Sequence, residues 1–255
     1  RSVGLGVMGF HSYLQKHSIP LESVMSKAWN KKIFKHIQEH VDQASKDLAD
    51  ERGACPDAAD YGYNERFSNK TAIAPTASIS IICGGASPGV EPVAANSYTH
   101  KTLSGSFNVR NRYLVELLEK HGKNTDDVWS GITTNQGSVS HLDFLTDLEK
   151  DVFKTAFELD QKWIIELSGD RTPYISQAQS INLFVPADIH KRELHKIHFD
   201  AWKKGLKSLY YCRSKSIQRA ENVNDTKATD VNANVYKSKP QTTEQPEYEE
   251  CLSCQ

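Results

Sequence analysis

The chain has 255 residues, 38% of them hydrophobic, and 31 Lys and Arg against 32 Asp and Glu leave a formal net charge of −1. Such a balance supplies no general field for nucleic acid or an anionic membrane surface, no apolar run reaches the ~18 residues of a membrane span, and no charged-then-apolar signal segment opens the chain. Five cysteines, an odd number spread through a long chain, exclude a secreted disulfide framework and predict a reducing, cytoplasmic setting.

The first residues, Arg1-Ser2-Val3, do not start on Met, which predicts a fragment, a processed product or half of a split protein. Residues 3–14 are apolar and Gly-interrupted and read as a buried strand or turn feeding a short helix. Over 22–50, Trp29, Ile33, Ile37, Val41, Ala44 and Leu48 recur every three or four positions, predicting a long helix stopped at Gly53. His36 and His40 lie four apart on its Lys-rich face, without an H-E-x-x-H pattern, and read as solvated surface. Residues 55–70 have the composition of a loop. From Thr71 to Ala95 no charge appears until Glu91, and this small, Gly- and Pro-rich stretch reads as buried, lining a core or pocket, with Cys83 as a small buried residue. Helices are predicted over 109–121, closed by Gly122, over 146–168, closed by Gly169, and over 190–204. Strands are predicted over 180–185 and 206–212. Strand, helix and strand at that spacing make a βαβ unit, so the expected class is α/β with a mainly parallel sheet.

Three groups of residues could carry chemistry. Pro75-Thr76-Ala77-Ser78-Ile79 opens a short apolar helix, where orphan backbone N–H groups and the helix dipole favour an anion such as phosphate. An ordinary N-cap fits the same residues. Tyr210-Tyr211 closes the last strand; regular geometry sends one ring to each face, so a pair of cooperating phenols requires a local departure. The third group is Cys251 and Cys254 at the end of a polar stretch, 214–255, whose composition predicts a disordered tail. A C-x-x-C pair can be oxidised to a small ring and reduced elsewhere. Zinc is the rival, but a tetrahedral site wants four ligands and the tail has no His. Cys251 lies 38 residues beyond Arg213, which gives a flexible chain a reach of about 30–37 Å. The glutamates before the pair raise thiol pKa values, so mobility rather than activation has to serve it.

Taken together, GLGVMGF near the start, IAPTASIS followed by GVEP, NSYTHKTLSGSF, RTPYISQAQSINLF, HFDAWKKGLKSLYYCRS and the terminal cysteine pair resemble the C-terminal part of the large (alpha) subunit of class I ribonucleotide reductase. The resemblance is collinear over essentially the whole chain. It implies the C-terminal part of a ten-stranded α/β barrel over 1–213, a flexible tail over 214–255, and reduction of ribonucleoside diphosphates to deoxyribonucleotides by radical chemistry. It gives Pro75, Thr76, Ala77, Ser78 and Ile79 the substrate phosphates. Tyr210 and Tyr211 become radical relays from the metal-containing small (beta) subunit. Cys251 and Cys254 become the dithiol that re-reduces the active site and is itself reduced by thioredoxin or glutaredoxin. Many family members carry an acidic residue at the position of Ala77, while others share Thr-Ala-Ser.

The Asn-x-Cys-x-Glu setting of the family's radical cysteine is absent around Cys55, Cys83 and Cys212. The resemblance therefore implies that the chain is inactive alone and completes an N-terminal part, which also holds the ATP and deoxynucleotide effector sites. No metal or cofactor is expected to bind these residues directly. The alternative is a non-catalytic phosphate-binding α/β module with a redox-sensing or zinc-binding tail.

Overall fold

The computed structural model describes residues 1–102 and 105–215, with side chains outside 100–107 and 215. Strand β1 (Ser2–Leu5) leads into α1 (Phe10–Lys16), and α2 (Val24–Arg52) follows a Ser23 cap whose side chain accepts from Ser26 N–H. Next come α3 (Pro56–Asp60), β2 (Asn69–Thr71) and α4 (Ala77–Ile82). An antiparallel hairpin, β3 (Ser97–Thr102) with β4 (Gly105–Arg110), precedes α5 (Arg112–Lys120), α6 (Asp126–Thr134), α7 (Asp147–Val152) and α8 (Gln161–Arg171). The last elements are β5 (Leu183–Pro186), α9 (Lys191–Lys203) and β6 (Cys212–Lys215).

The parallel sheet foreseen from the βαβ pattern is present. β1 pairs with β2 and β5 with β6, both parallel. A parallel bridge between Ile73 and Gln179 links the two ribbons, reinforced by Ile73 N–H to the Ala178 carbonyl and Ser180 N–H to the Ile73 carbonyl. The strand order is thus β1, β2, β5, β6. α8 fills the connection before β5, and α9 crosses from β5 to β6, packing Ile197 and Ala201 on Ile165, Leu183 and Val185. Phe10, Leu14, Phe34, Ile73, Leu167 and Ile181 form the central core. A second core gathers Leu114, Leu118, Trp129, Ile132, Val152 and Phe153 behind the hairpin.

Several sequence expectations are corrected. The 55–70 stretch holds α3 and β2, because Pro56 starts a helical turn and Thr71 pairs with β1. The apolar period over 146–168 is two helices. A Thr146–Glu149 capping box starts the first, while Glu158 takes the N–H and hydroxyl of Thr155 and Asp160 caps the second through Lys162 N–H. Gly169 lies inside α8, which ends at Arg171. On α2 the predicted stripe is at best half-buried, and Ala44 is exposed. The buried face is Ser26, Asn30, Phe34, Ser45 and Ala49, whose polar members bond neighbouring elements: Asn30 donates to the Leu167 carbonyl and Ser45 Oγ accepts from Arg66 and Phe67 N–H. His36 and His40 are exposed, their rings 4.1 Å apart. The neutral stretch 71–95 is not uniformly buried: α4 turns Ile79 and Ile82 outward, and Cys83 after it is exposed. The residues 206–211 are irregular and β6 begins only at Cys212, running through Ser214 and Lys215. The rest of the predicted tail, with Cys251 and Cys254, lies outside the described residues.

Candidate functional site

Pro75 and Thr76 bring the chain into α4 through a left-handed turn, with Thr76 at φ 50°. A threonine adopts that conformation only under constraint, and the constraint is visible: Thr76 Oγ1 accepts from Gly89 N–H at 2.7 Å. Gly89 itself sits at φ 47°, and a Cβ there would stand 2.9 Å from the Ala74 carbonyl oxygen, so only glycine fits. The hydroxyl that could have capped α4 is therefore spent on Gly89, and no side chain among the described residues caps the helix. The ordinary N-cap is excluded at Thr76. Ala77, Ser78 and Ile79 are exposed at this first turn.

The segment after α4 is pinned on both sides. Gly9 N–H binds the Ser87 carbonyl, and Ser12 and Ser87 exchange N–H to Oγ bonds at 3.1 and 2.8 Å. Val93 N–H donates to His11 Nδ1, and the Val93 carbonyl accepts from Ala156 N–H. His11 is fully buried, which lowers its pKa to about 3, so the ring is neutral and the acceptor is permanent. Glu91 stands between these anchors. Burial pushes its carboxyl upward from the usual range, against the opposing pull of Asn182 and of the Arg213 guanidinium.

The two tyrosines do depart from regular strand geometry. Tyr210 N–H donates to the Ile181 carbonyl, while the Tyr211 carbonyl accepts from Leu183 N–H. Both therefore stand opposite the single residue Asn182, the arrangement of a β-bulge, which re-aims side chains. The Tyr211 N–H left over is taken by Asn182 Oδ1 at 3.0 Å. The rings consequently meet, centroids 4.2 Å apart and planes at 53°, rather than pointing to opposite faces. Arg213 lies over Tyr211, its guanidinium carbon 5.7 Å from the ring centre.

A cavity of about 340 Å³ joins these parts. Pro75, Ala77 and Ser80 form one wall, Asn182 and Arg213 another, and its charged lining is Arg110, Arg112, Arg213 and Glu91. Neither phenol is among the lining residues. Tyr211 meets the cavity through Asn182 and Arg213, whereas Tyr210 lines a neighbouring cleft with Gly4, Ala72, Gln179 and Ser180. Glu91, Asn182 and Arg213 escaped the sequence reading as site residues. Glu91 did carry a signal, as the first charge after a long neutral stretch; Asn182 within an apolar strand was a second. Among the described residues no group of three or more His, Cys, Asp or Glu side chains could hold a metal ion.

The family model for the ribonucleotide reductase barrel domain matches residues 1–65 and 57–212. This chain belongs to the ribonucleotide reductase barrel family. It is 49% identical over 227 residues to the ribonucleoside-diphosphate reductase large subunit of Invertebrate iridescent virus 6, covering 88% of this chain and 24% of that protein. The putative large subunit of Frog virus 3 is 38% identical over 255 residues, covering all of this chain and 42% of the relative. Among solved structures, the Actinobacillus ureae class Id ribonucleotide reductase alpha subunit superposes with a TM-score of 0.79 at 40% identity, over 87% of this chain and 40% of that one. The chain thus spans well under half the length of these relatives. The four parallel strands are part of the family's barrel, and no helix among the described residues is long and apolar enough to cross a membrane.

Proposed function

We propose that this chain is the substrate-phosphate-binding and radical-relay part of a ribonucleoside-diphosphate reductase large subunit, working in the cytoplasm to supply deoxyribonucleotides for DNA synthesis. The observation that carries the reading is the shared cavity. Pro75 and Ala77, at the start of α4, border a space lined by three arginines and one carboxylate, while Thr76, Ser78 and Ile79 are not among its lining residues; Asn182, which also lines it, accepts the Tyr211 N–H. Free N–H groups and a cationic lining suit the phosphates of a ribonucleoside diphosphate. In this reading the N–H groups of Ala77, Ser78 and Ile79 hold the phosphates, Pro75 and Thr76 shape the turn, and the arginines balance the charge.

Tyr210 and Tyr211, in ring contact, pass an electron and a proton between the small subunit and the substrate pocket. A phenol suits this task because it can lose both together. Cys251 and Cys254 act as the dithiol that returns two electrons to the active-site disulfide after each turnover and is recharged by thioredoxin or glutaredoxin. The radical cysteine and effector sites belong to an N-terminal portion, so the chain is inactive by itself. The test is reconstitution with that portion and the small subunit. Turnover of a ribonucleoside diphosphate is expected only when all three are present. Cys251→Ser with Cys254→Ser is expected to lose thioredoxin-driven turnover and keep turnover driven by a small dithiol; full thioredoxin-driven activity in that variant contradicts the dithiol role.

A further inference from the structure

Among the described residues, Glu91 is the one carboxylate in the cavity lining. It is 7% exposed, and its Oε1 is buried without a hydrogen-bond partner among the described residues. A carboxylate in that state is costly to keep, and its backbone is held at the cavity: Glu91 N–H binds the Pro88 carbonyl, and the anchored residues Gly89 and Val93 flank it. It lines the cavity together with Asn182 and Arg213, and both draw its carboxyl back from the rise that burial imposes. Both also touch Tyr211. Asn182 Oδ1 accepts the Tyr211 N–H and Arg213 lies over the ring. The remaining charged or titratable groups around the cavity, Arg110, Arg112, Tyr98 and Tyr113, come from the hairpin and α5.

We propose that Glu91 is a positioning residue for Tyr211: from the shared cavity wall it offsets the charge that Arg213 presents to the phenol and faces the asparagine that accepts the Tyr211 N–H. The inference rests on the radical-relay reading and deepens it. A guanidinium over a ring opposes withdrawal of an electron from that ring, because it interacts favourably with the electron-rich face. A carboxylate beside the guanidinium offsets that field. Removing Glu91 takes that offset away from Tyr211.

The test uses the full large subunit with its small subunit, and the variants Glu91→Gln, Arg213→Gln and the double substitution. Glu91→Gln is expected to lower kcat about tenfold while substrate KM stays within about twofold, the pattern of a lost interaction that is not uniform substrate binding. The double variant is expected to recover much of the lost rate, since the uncompensated cation is gone; such non-additivity marks a coupled pair. A second measurement does not depend on activity. With fluorotyrosine at position 211, the phenol pKa is expected to fall in Glu91→Gln and to rise in Arg213→Gln, because a cation favours the phenolate and a carboxylate opposes it. Arg213 is exposed, so its variant keeps the question answerable if Glu91→Gln folds poorly. A raised KM at unchanged kcat, single effects that simply multiply, or a phenol pKa indifferent to both substitutions overturns the proposal. If Tyr210→Phe and Tyr211→Phe leave turnover intact, the relay reading itself fails; if they abolish it and Glu91→Gln leaves kcat untouched, only this inference falls.

Discussion

Arg171 shows how a single residue holds this fold together. Its guanidinium is buried between Phe10 and Phe34, 5.9 and 5.7 Å from their ring centres. It donates to Gln179 Oε1, Asn30 Oδ1 and Ser168 Oγ, joining α8, α2 and the segment leading to β5. Burial lowers its pKa to about 9, which leaves it charged at neutral pH. Arg171→Ala is expected to cost about 3 kcal/mol or more in urea unfolding, because several buried polar groups lose their partner at once. Arg171→Lys is expected to rescue little, since a point charge cannot satisfy three separated acceptors and two rings. A basic residue in the last turn of a helix normally reads as solvated, so nothing in the sequence pattern exposed this role. His11 supplies a pH signature. Its folded pKa of about 3 lies below the ordinary 6.5, so between those values the unfolded chain binds a proton that the native one refuses. Stability is therefore full above pH 6.5 and falls as pH drops toward about 3, by at most roughly 4–5 kcal/mol. His11→Gln, which can still accept from Val93 N–H, is expected to flatten that part of the stability profile. An unchanged slope would place the acid sensitivity elsewhere.

At the scale of elements, the turn into α4 depends on two left-handed residues, a strained Thr76 and an unstrained Gly89, that support each other. Gly89→Ala forces a side chain against the Ala74 carbonyl at a positive φ, and is expected to break the Thr76 bond and weaken ribonucleoside-diphosphate binding at least tenfold while the rest of the fold survives. Equilibrium binding measured by calorimetry checks this; unchanged affinity would mean that the α4 turn does not hold the phosphates. Much at this scale was legible. The long helix with its Gly53 stop, the strand near Phe184 and the helix ending near Gly205 follow from period and punctuation, and the structure has all three. The break between α7 and α8 was written in Thr155, Glu158 and Asp160, local capping residues that a count of apolar positions passes over. The tyrosine bulge was not legible at all, since it goes with a hydrogen bond from Tyr211 to Asn182, which lies just before β5 and far from it in sequence. Long-range polar partners leave no periodic trace.

At the scale of the whole molecule, the four parallel strands have two open edges among the described residues. β1 is exposed along its length, including Val3 and Leu5, and unpaired edges of this kind invite association. The isolated chain is expected to self-associate on size-exclusion chromatography, and co-expression with the N-terminal portion is expected to suppress this; a stable monomer on its own would show that the edges need no cover. Family membership, the parallel sheet and the neutral segment around α4 were all readable from motifs, whereas the cavity that unites them came only from tertiary placement. The claim on which the rest depends is that Tyr211, reached through Asn182 and Arg213, carries the radical to a pocket that holds a nucleotide. Its most direct test is Tyr211→Phe in the reconstituted reductase, with turnover and substrate binding measured on the same sample. Turnover abolished with substrate affinity unchanged is the predicted result; turnover near the wild-type rate would contradict it.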